Sequence, residues 1–113
     1  MNPYRFAGGV AGTHGYYHNG SASNIIDRFA FATDGNATNV GDATTTKSER
    51  GASSDITGGF SYVFAGNTST NVIERHANAS SANGAGVGDL TNSNRLPSSS
   101  ESSTHGYRSG GWT

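Results

Sequence analysis

Apolar residues in this chain fall into short alternating runs, each cut off by Gly, Asn, Asp or Ser. Alternation at a period of two predicts strands, and the flanking residues predict tight turns. The first predicted strand spans residues 13–17 and ends at Asn19-Gly20, a dipeptide that tolerates positive φ. The second spans 24–33, with Ile25, Asp27, Phe29 and Phe31 on one face and Ile26, Arg28 and Ala30 on the other. Asp34-Gly35-Asn36 predicts a turn, and 37–47 a strand with Val40 and a threonine run. Residues 51–56 lead into a second set: 57–64, the most apolar strand, then 71–78 and 87–91. Residues 104–112 restart the pattern a third time. No window keeps an i, i+3, i+4, i+7 apolar pattern, and glycine is too frequent for long helices, so the predicted class is all-β.

The runs repeat with a spacing of 47 residues. Asn24-Ile25-Ile26-Asp27-Arg28 is echoed by Asn71-Val72-Ile73-Glu74-Arg75, Val40-Gly41-Asp42 by Val87-Gly88-Asp89, and Thr57 by Thr104. A repeat of this length is one small β-unit that cannot bury its apolar face alone and is stable only when stacked or closed into a ring. Repeat one covers about 13–56, repeat two about 57–103, and 104–113 is an overlapping terminal strand, all within one domain. Allowing a one-residue gap, 5–16 aligns with 95–107, so the chain opens and closes on the same element. A three-residue insertion is expected in the loop between Thr57 and Asn71.

Composition sharpens this picture. Gly, Ser, Thr and Asn make up about half of the 113 residues, and AVILMFWYC residues only 32%. A chain so poor in large apolar groups builds a thin core, and pairing with copies of itself is the natural remedy. Seven basic against eight acidic residues leave no basic footprint for nucleic acid. Without cysteine there is neither a disulfide framework nor thiolate chemistry. No segment has the length of apolar sequence a membrane helix needs, and residues 1–6 contain no signal-peptide h-region, so no membrane partner and no secretory leader are expected. Four sequons, at Asn19, Asn36, Asn67 and Asn78, are what chance gives in so Asn- and Ser-rich a chain.

The unit reads Thr-His-Gly-Tyr-x-x-Gly-Gly, then Asn-x-Ile-Asp/Glu-Arg-Phe-x-Phe-Ala-x-Asp, then Asn-Ala-Thr-x-Val-Gly-Asp-Leu-Thr, then Arg and small residues. This resembles the tandem repeats of structural proteins in marine tailed phages, whose units are similar to kelch repeats. Gly110-Gly111 sits where the kelch diglycine would, 24–34 resembles the third strand, and Val40-Gly41-Asp42 and Val87-Gly88-Asp89 resemble the fourth with Val in place of the usual Trp. Arg95 resembles the Arg that follows. The middle unit departs from the pattern: it has Gly58-Gly59-Phe60 in place of His-Gly-Tyr, it lacks the diglycine, and it has His76 where repeat one has Phe29; in the first unit Asn19-Gly20 replaces the diglycine. The resemblance implies two to two-and-a-half kelch-like β-propeller blades, with a ring completed by oligomerisation. Three chains would supply six blades; the other architecture is an open head-to-tail stack.

Candidate chemistry is sparse. His14 and His18 are four apart on a strand and turn, which is not a helical metal pair. His14 and His105 are repeat equivalents that could ligate an ion around a symmetry axis, or each fix its own turn. Asp27 and Glu74 are repeat equivalents followed by Arg; catalytic carboxylates need different environments, so a structural pair with Arg or a strand-end hydrogen bond is expected. Asp42 and Asp89 read as turn formers, and Asp34-Gly35-Asn36 is only a fragment of a calcium loop. Neither a Gly-x-Ser-x-Gly elbow nor a phosphate-binding glycine loop occurs, so no enzyme and no cofactor or metal are expected.

The function expected is that of a non-enzymatic virion structural protein on the surface of a phage particle, a capsid decoration or a tail or fibre component. Its expected partners are copies of itself, a trimer first, and other virion proteins. Tyr4, Phe6, Tyr16, Tyr107 and Trp112 are the expected oligomer interface, because large aromatics need a surface to cover. Two alternatives stand beside this: an adhesin-like module contacting cell-surface glycan through Tyr17 and Trp112, and a subunit of an extracellular filament.

Overall fold

The computed structural model describes residues 7–10, 12–18, 23–46, 49–66, 70–78 and 81–111. Tyr4, Phe6 and Trp112 lie outside them. Among the described residues the structure is all-β, with ten strands in three sheets. The first sheet is an antiparallel meander of β1 (Ala7–Val10), β2 (His14–His18), β3 (Ile25–Ala30) and β4 (Thr38–Asp42). The second repeats it with β5 (Gly51–Asp55), β6 (Phe60–Phe64), β7 (Thr70–Ala77) and β8 (Ala85–Asn94). A two-stranded sheet of β9 (Ser98–Glu101) and β10 (Gly106–Ser109) follows. Residues 51–55, at the end of repeat one in the sequence frame, thus open the second sheet: the repeat is the same but its phase is earlier.

Strand pairing reproduces the 47-residue spacing to the residue. Ile26 pairs with Gly41 and Asp27 with Asn39, so a bulge leaves Val40 over. Ile73 pairs with Gly88 and Glu74 with Gly86, leaving Val87 over in the same way. The linkers match as well. Glu49 and Leu96, 47 apart, both take positive φ (62° and 56°), and Leu96 N–H donates to the Glu49 carbonyl at 2.9 Å. Neighbouring units therefore touch at equivalent points.

One stretch differs from the sequence frame. Tyr16 faces Arg28 as Tyr62 faces Arg75, which makes Phe60 the equivalent of His14 and Gly59 that of Thr13. A backbone hydrogen bond agrees: Phe31 N–H donates to Thr13 at 3.0 Å, and Asn78 N–H to Gly59 at 2.8 Å. Thr57, expected to match Thr104, lies in the turn before β6. The extra residues are shared between that turn and the β6–β7 connection. The same frame puts Ala65-Gly66 at the diglycine position. Their φ values are 63° and 139°, against 66° and 103° at Gly110-Gly111. The left-handed backbone is thus kept in the middle unit although Ala replaces the first glycine, at a cost of about 1–2 kcal/mol.

The core is thin, as the composition predicts: Tyr16, Ile26, Val40, Ala43, Val63, Phe64 and Ala65 are the buried apolar residues among those described. The β7–β8 connection approaches β4 closely at Gly41, where an added Cβ would sit 2.1 Å from the Ala82 carbonyl oxygen, whereas nothing lies within 4 Å of one at Gly88. Backbone cannot yield as a flexible side chain does. Gly41→Ala is expected to cost about 1–3 kcal/mol and Gly88→Ala to stay within about 0.5 kcal/mol of wild type, as read from urea unfolding midpoints.

Candidate functional site

Successive residues of a strand face opposite sides of its sheet. In sheet one, Tyr16, His18, Ile26 and Arg28 share a face, here the front; Gly15, Tyr17, Asp27 and Phe29 share the back. In sheet two the corresponding front carries Tyr62, Phe64, Ile73 and Arg75, and the back Ser61, Val63, Glu74 and His76. The front of sheet one packs on the back of sheet two. This seam between units gathers buried polar and aromatic side chains among the described residues.

At its centre Tyr16 OH donates to the Asn78 carbonyl at 2.5 Å, and Ser61 Oγ donates to Asn78 Oδ1 at 2.9 Å. The His76 ring lies 4.9 Å from Tyr16 and 4.8 Å from His18, centroid to centroid. Both imidazoles are buried, and their four nitrogens have no hydrogen-bond partner among the described residues. Burial lowers His18 to about 3, helped by repulsion from His76 and Arg50. Burial also lowers His76 to about 4, against an opposing pull from Glu74. Both rings are therefore neutral at pH 7.

Beside them Glu74 bridges the units. Its carboxylate pairs with Arg50 at 3.2 Å and accepts from Thr44 N–H at 3.3 Å and from the Thr44 hydroxyl. The partner is not the adjacent Arg75, because neighbours along a strand point apart. Arg75 instead stacks 3.9 Å over the Phe60 ring and donates to Tyr62 OH at 3.3 Å. At the loop edge Asp42 N–H donates to Asn83 Oδ1 at 3.0 Å, and Gly84 N–H to the Asp42 carbonyl at 2.7 Å.

The second seam is open. A cleft of about 320 Å³ lies between the front of sheet two and the β9–β10 hairpin, lined by Tyr62, Phe64, Ile73, Val87, Leu90 and Tyr107. The hairpin is held by Ser53 Oγ donating to the Ser100 carbonyl at 3.2 Å, by Ser54 N–H donating to Glu101, and by Asn94 Nδ2 donating to the Gly110 carbonyl at 2.9 Å. Gly111 must be glycine here, since a Cβ would fall 2.6 Å from Asn94 Nδ2.

The sequence-predicted residues are placed as follows. Tyr16, expected between molecules, is buried within the chain at the first seam, with its hydroxyl bonded. Tyr107 is 52% exposed at the cleft, and Tyr17 is half-buried on the back of sheet one. His14 and His105 each meet the preceding threonine, Thr13 Oγ1 at 2.7 Å and Thr104 Oγ1 at 2.8 Å. No group of three or more metal-ligating side chains forms among the described residues. Sequence reasoning missed the His18–His76 pair; its signal was the departure from the repeat, since His76 stands where sheet one has Phe29.

No family model matches the chain. No curated protein matches it either.

Proposed function

We propose that this chain is a non-enzymatic structural subunit of a phage particle, at the capsid or tail surface, that assembles with copies of itself. Each four-stranded meander acts as a kelch-like propeller blade, and three chains complete a six-bladed ring. One observation carries the reading. The β9–β10 hairpin repeats β1–β2 in turn length and in its Thr–His contact, while β10 has no strand on its outer edge among the described residues. A β10 edge that no described strand pairs favours pairing with a further strand, and in this reading a neighbouring copy supplies it. Further support comes from exposed Phe29 and Phe31 on the back of sheet one and exposed Val87 on the front of sheet two.

Sedimentation and electron microscopy of the purified protein test it. The full chain is expected to run as a defined multimer, seen as a ring or fibre, and the chain lacking residues 104–113 as a monomer. A full chain that stays monomeric at all concentrations overturns the reading, and an unchanged multimer after truncation removes the terminal hairpin from it.

A further inference from the structure

We propose that Asn83-Gly84, in the β7–β8 connection, is a spontaneous deamidation site gated by the first seam: the asparagine reacts only while the two units stand apart, and its isoaspartyl product keeps them from closing again. The seam thereby carries a one-way clock that runs whenever it opens.

Two contacts hold the gate. Gly84 N–H donates to the Asp42 carbonyl at 2.7 Å, and Asp42 N–H donates to Asn83 Oδ1 at 3.0 Å. Asp42 belongs to sheet one and the dipeptide to a connection of sheet two, so both bonds cross the seam. Asn83 is otherwise open to water. Glycine in the following position leaves its amide nitrogen unshielded and its backbone free to bend into a five-membered ring. In the reaction Gly84 N gives its proton to a solvent base and attacks Asn83 Cγ; the Cγ–Nδ2 bond breaks and ammonia leaves. Water then opens the succinimide at either carbonyl, giving aspartate or isoaspartate. With the gate shut, the proton that must leave Gly84 N is held by the Asp42 oxygen, and the Asn83 amide is held in place by Asp42 N–H. Ring closure therefore waits for an opening that frees both groups.

The two products differ in what they do to the seam. Aspartate keeps an oxygen for Asp42 N–H. Isoaspartate routes the main chain through the former side chain and adds a methylene between residues 83 and 84, so the two-point match with Asp42 is lost. The surroundings leave little room for the longer chain: a Cβ on Gly84 would lie 3.0 Å from Glu74 Oε1 and 3.3 Å from Ala43 Cα. The extra backbone atom thus presses on the carboxylate that Arg50 and Thr44 hold across the seam.

Proteolytic mapping with mass spectrometry follows deamidation at Asn83 in the folded full chain and in a synthetic peptide of residues 80–87, in one mildly alkaline buffer; Asn19-Gly20 is read separately in the same map. The folded chain is expected to react at Asn83 about tenfold more slowly or less, because attack on a transiently opened state tracks the population of that state. Urea below the unfolding transition is expected to raise the rate, since opening the seam exposes surface and local fraying of the connection does not. Gly41→Ala, whose Cβ would fall 2.1 Å from the Ala82 carbonyl oxygen and 3.1 Å from Asn83 N, is expected to raise it about fivefold or more. If that variant does not fold, the urea series decides alone. Fractions carrying isoaspartate at 83 only, separated by ion exchange, are expected to unfold at a lower urea midpoint than the unreacted chain. A folded chain that reacts as fast as the peptide overturns the gate, as does a rate flat in urea or unmoved in folded Gly41→Ala. An isoaspartyl fraction with the unreacted midpoint overturns the one-way clock.

Discussion

Glu74→Ala is expected to destabilise the fold by about 3–5 kcal/mol, a large part of the roughly 5–15 kcal/mol that holds a domain together. The carboxylate and Arg50 are both almost fully out of solvent, with side chains 2% and 6% exposed. Removing one partner leaves the guanidinium charge uncompensated in a dry seam. It also leaves Thr44 N–H and the Thr44 hydroxyl, on the other unit, without their acceptor. The urea midpoint should fall while its slope stays constant, since the surface exposed on unfolding is unchanged. Arg50→Met with Glu74→Leu should recover most of the loss, because two apolar groups carry no desolvation penalty. If Glu74→Ala unfolds at the wild-type midpoint, the ion pair does not bind the units.

The second large effect is a loss of stability in mild acid. His18 and His76 titrate near 3 and 4 in the folded chain and at the ordinary 6.5 when unfolded. Between those values the unfolded chain binds more protons than the folded one, so stability rises with pH. The contribution is fully present above about pH 6.5 and is lost as pH falls towards 4 and then 3. While both rings resist protonation, each pH unit costs about 1.4 kcal/mol per histidine. Thermal melting between pH 7 and pH 4 measures the slope. His18→Phe with His76→Phe, which replaces both titrating rings with phenyl, should flatten it. An equally steep acid loss in that double variant would assign the pH dependence to the carboxylates.

Much of this architecture is legible in the amino-acid sequence. Alternating runs and turn dipeptides gave the all-β class and most strand positions, because period-two burial and positive-φ turns leave local marks. The repeat legible from Asn24 and Asn71 matches the pairing of β3 with β4 and of β7 with β8, including a bulge that no composition argument contains. What failed to show was relative phase. Strand β5 has the small, polar sequence Gly-Ala-Ser-Ser-Asp, which carries no apolar alternation, so its membership of the second sheet was invisible. The left-handed turn at Ala65 was hidden because alanine does not advertise positive φ. The seam chemistry was hidden for another reason. His18, His76 and Glu74 become a site only when two sheets meet face to face, and linear spacing does not encode which faces meet.

The matched bulges at Val40 and Val87 set how such a molecule can grow. Each fixes the phase of its hairpin, so a one-residue insertion inside the paired strands that no further bulge absorbs turns the following side chains to the opposite surface. Extra residues are absorbed in the connections, where β5–β6 and β6–β7 already hold them. The polypeptide lengthens most readily by whole increments or at its loops.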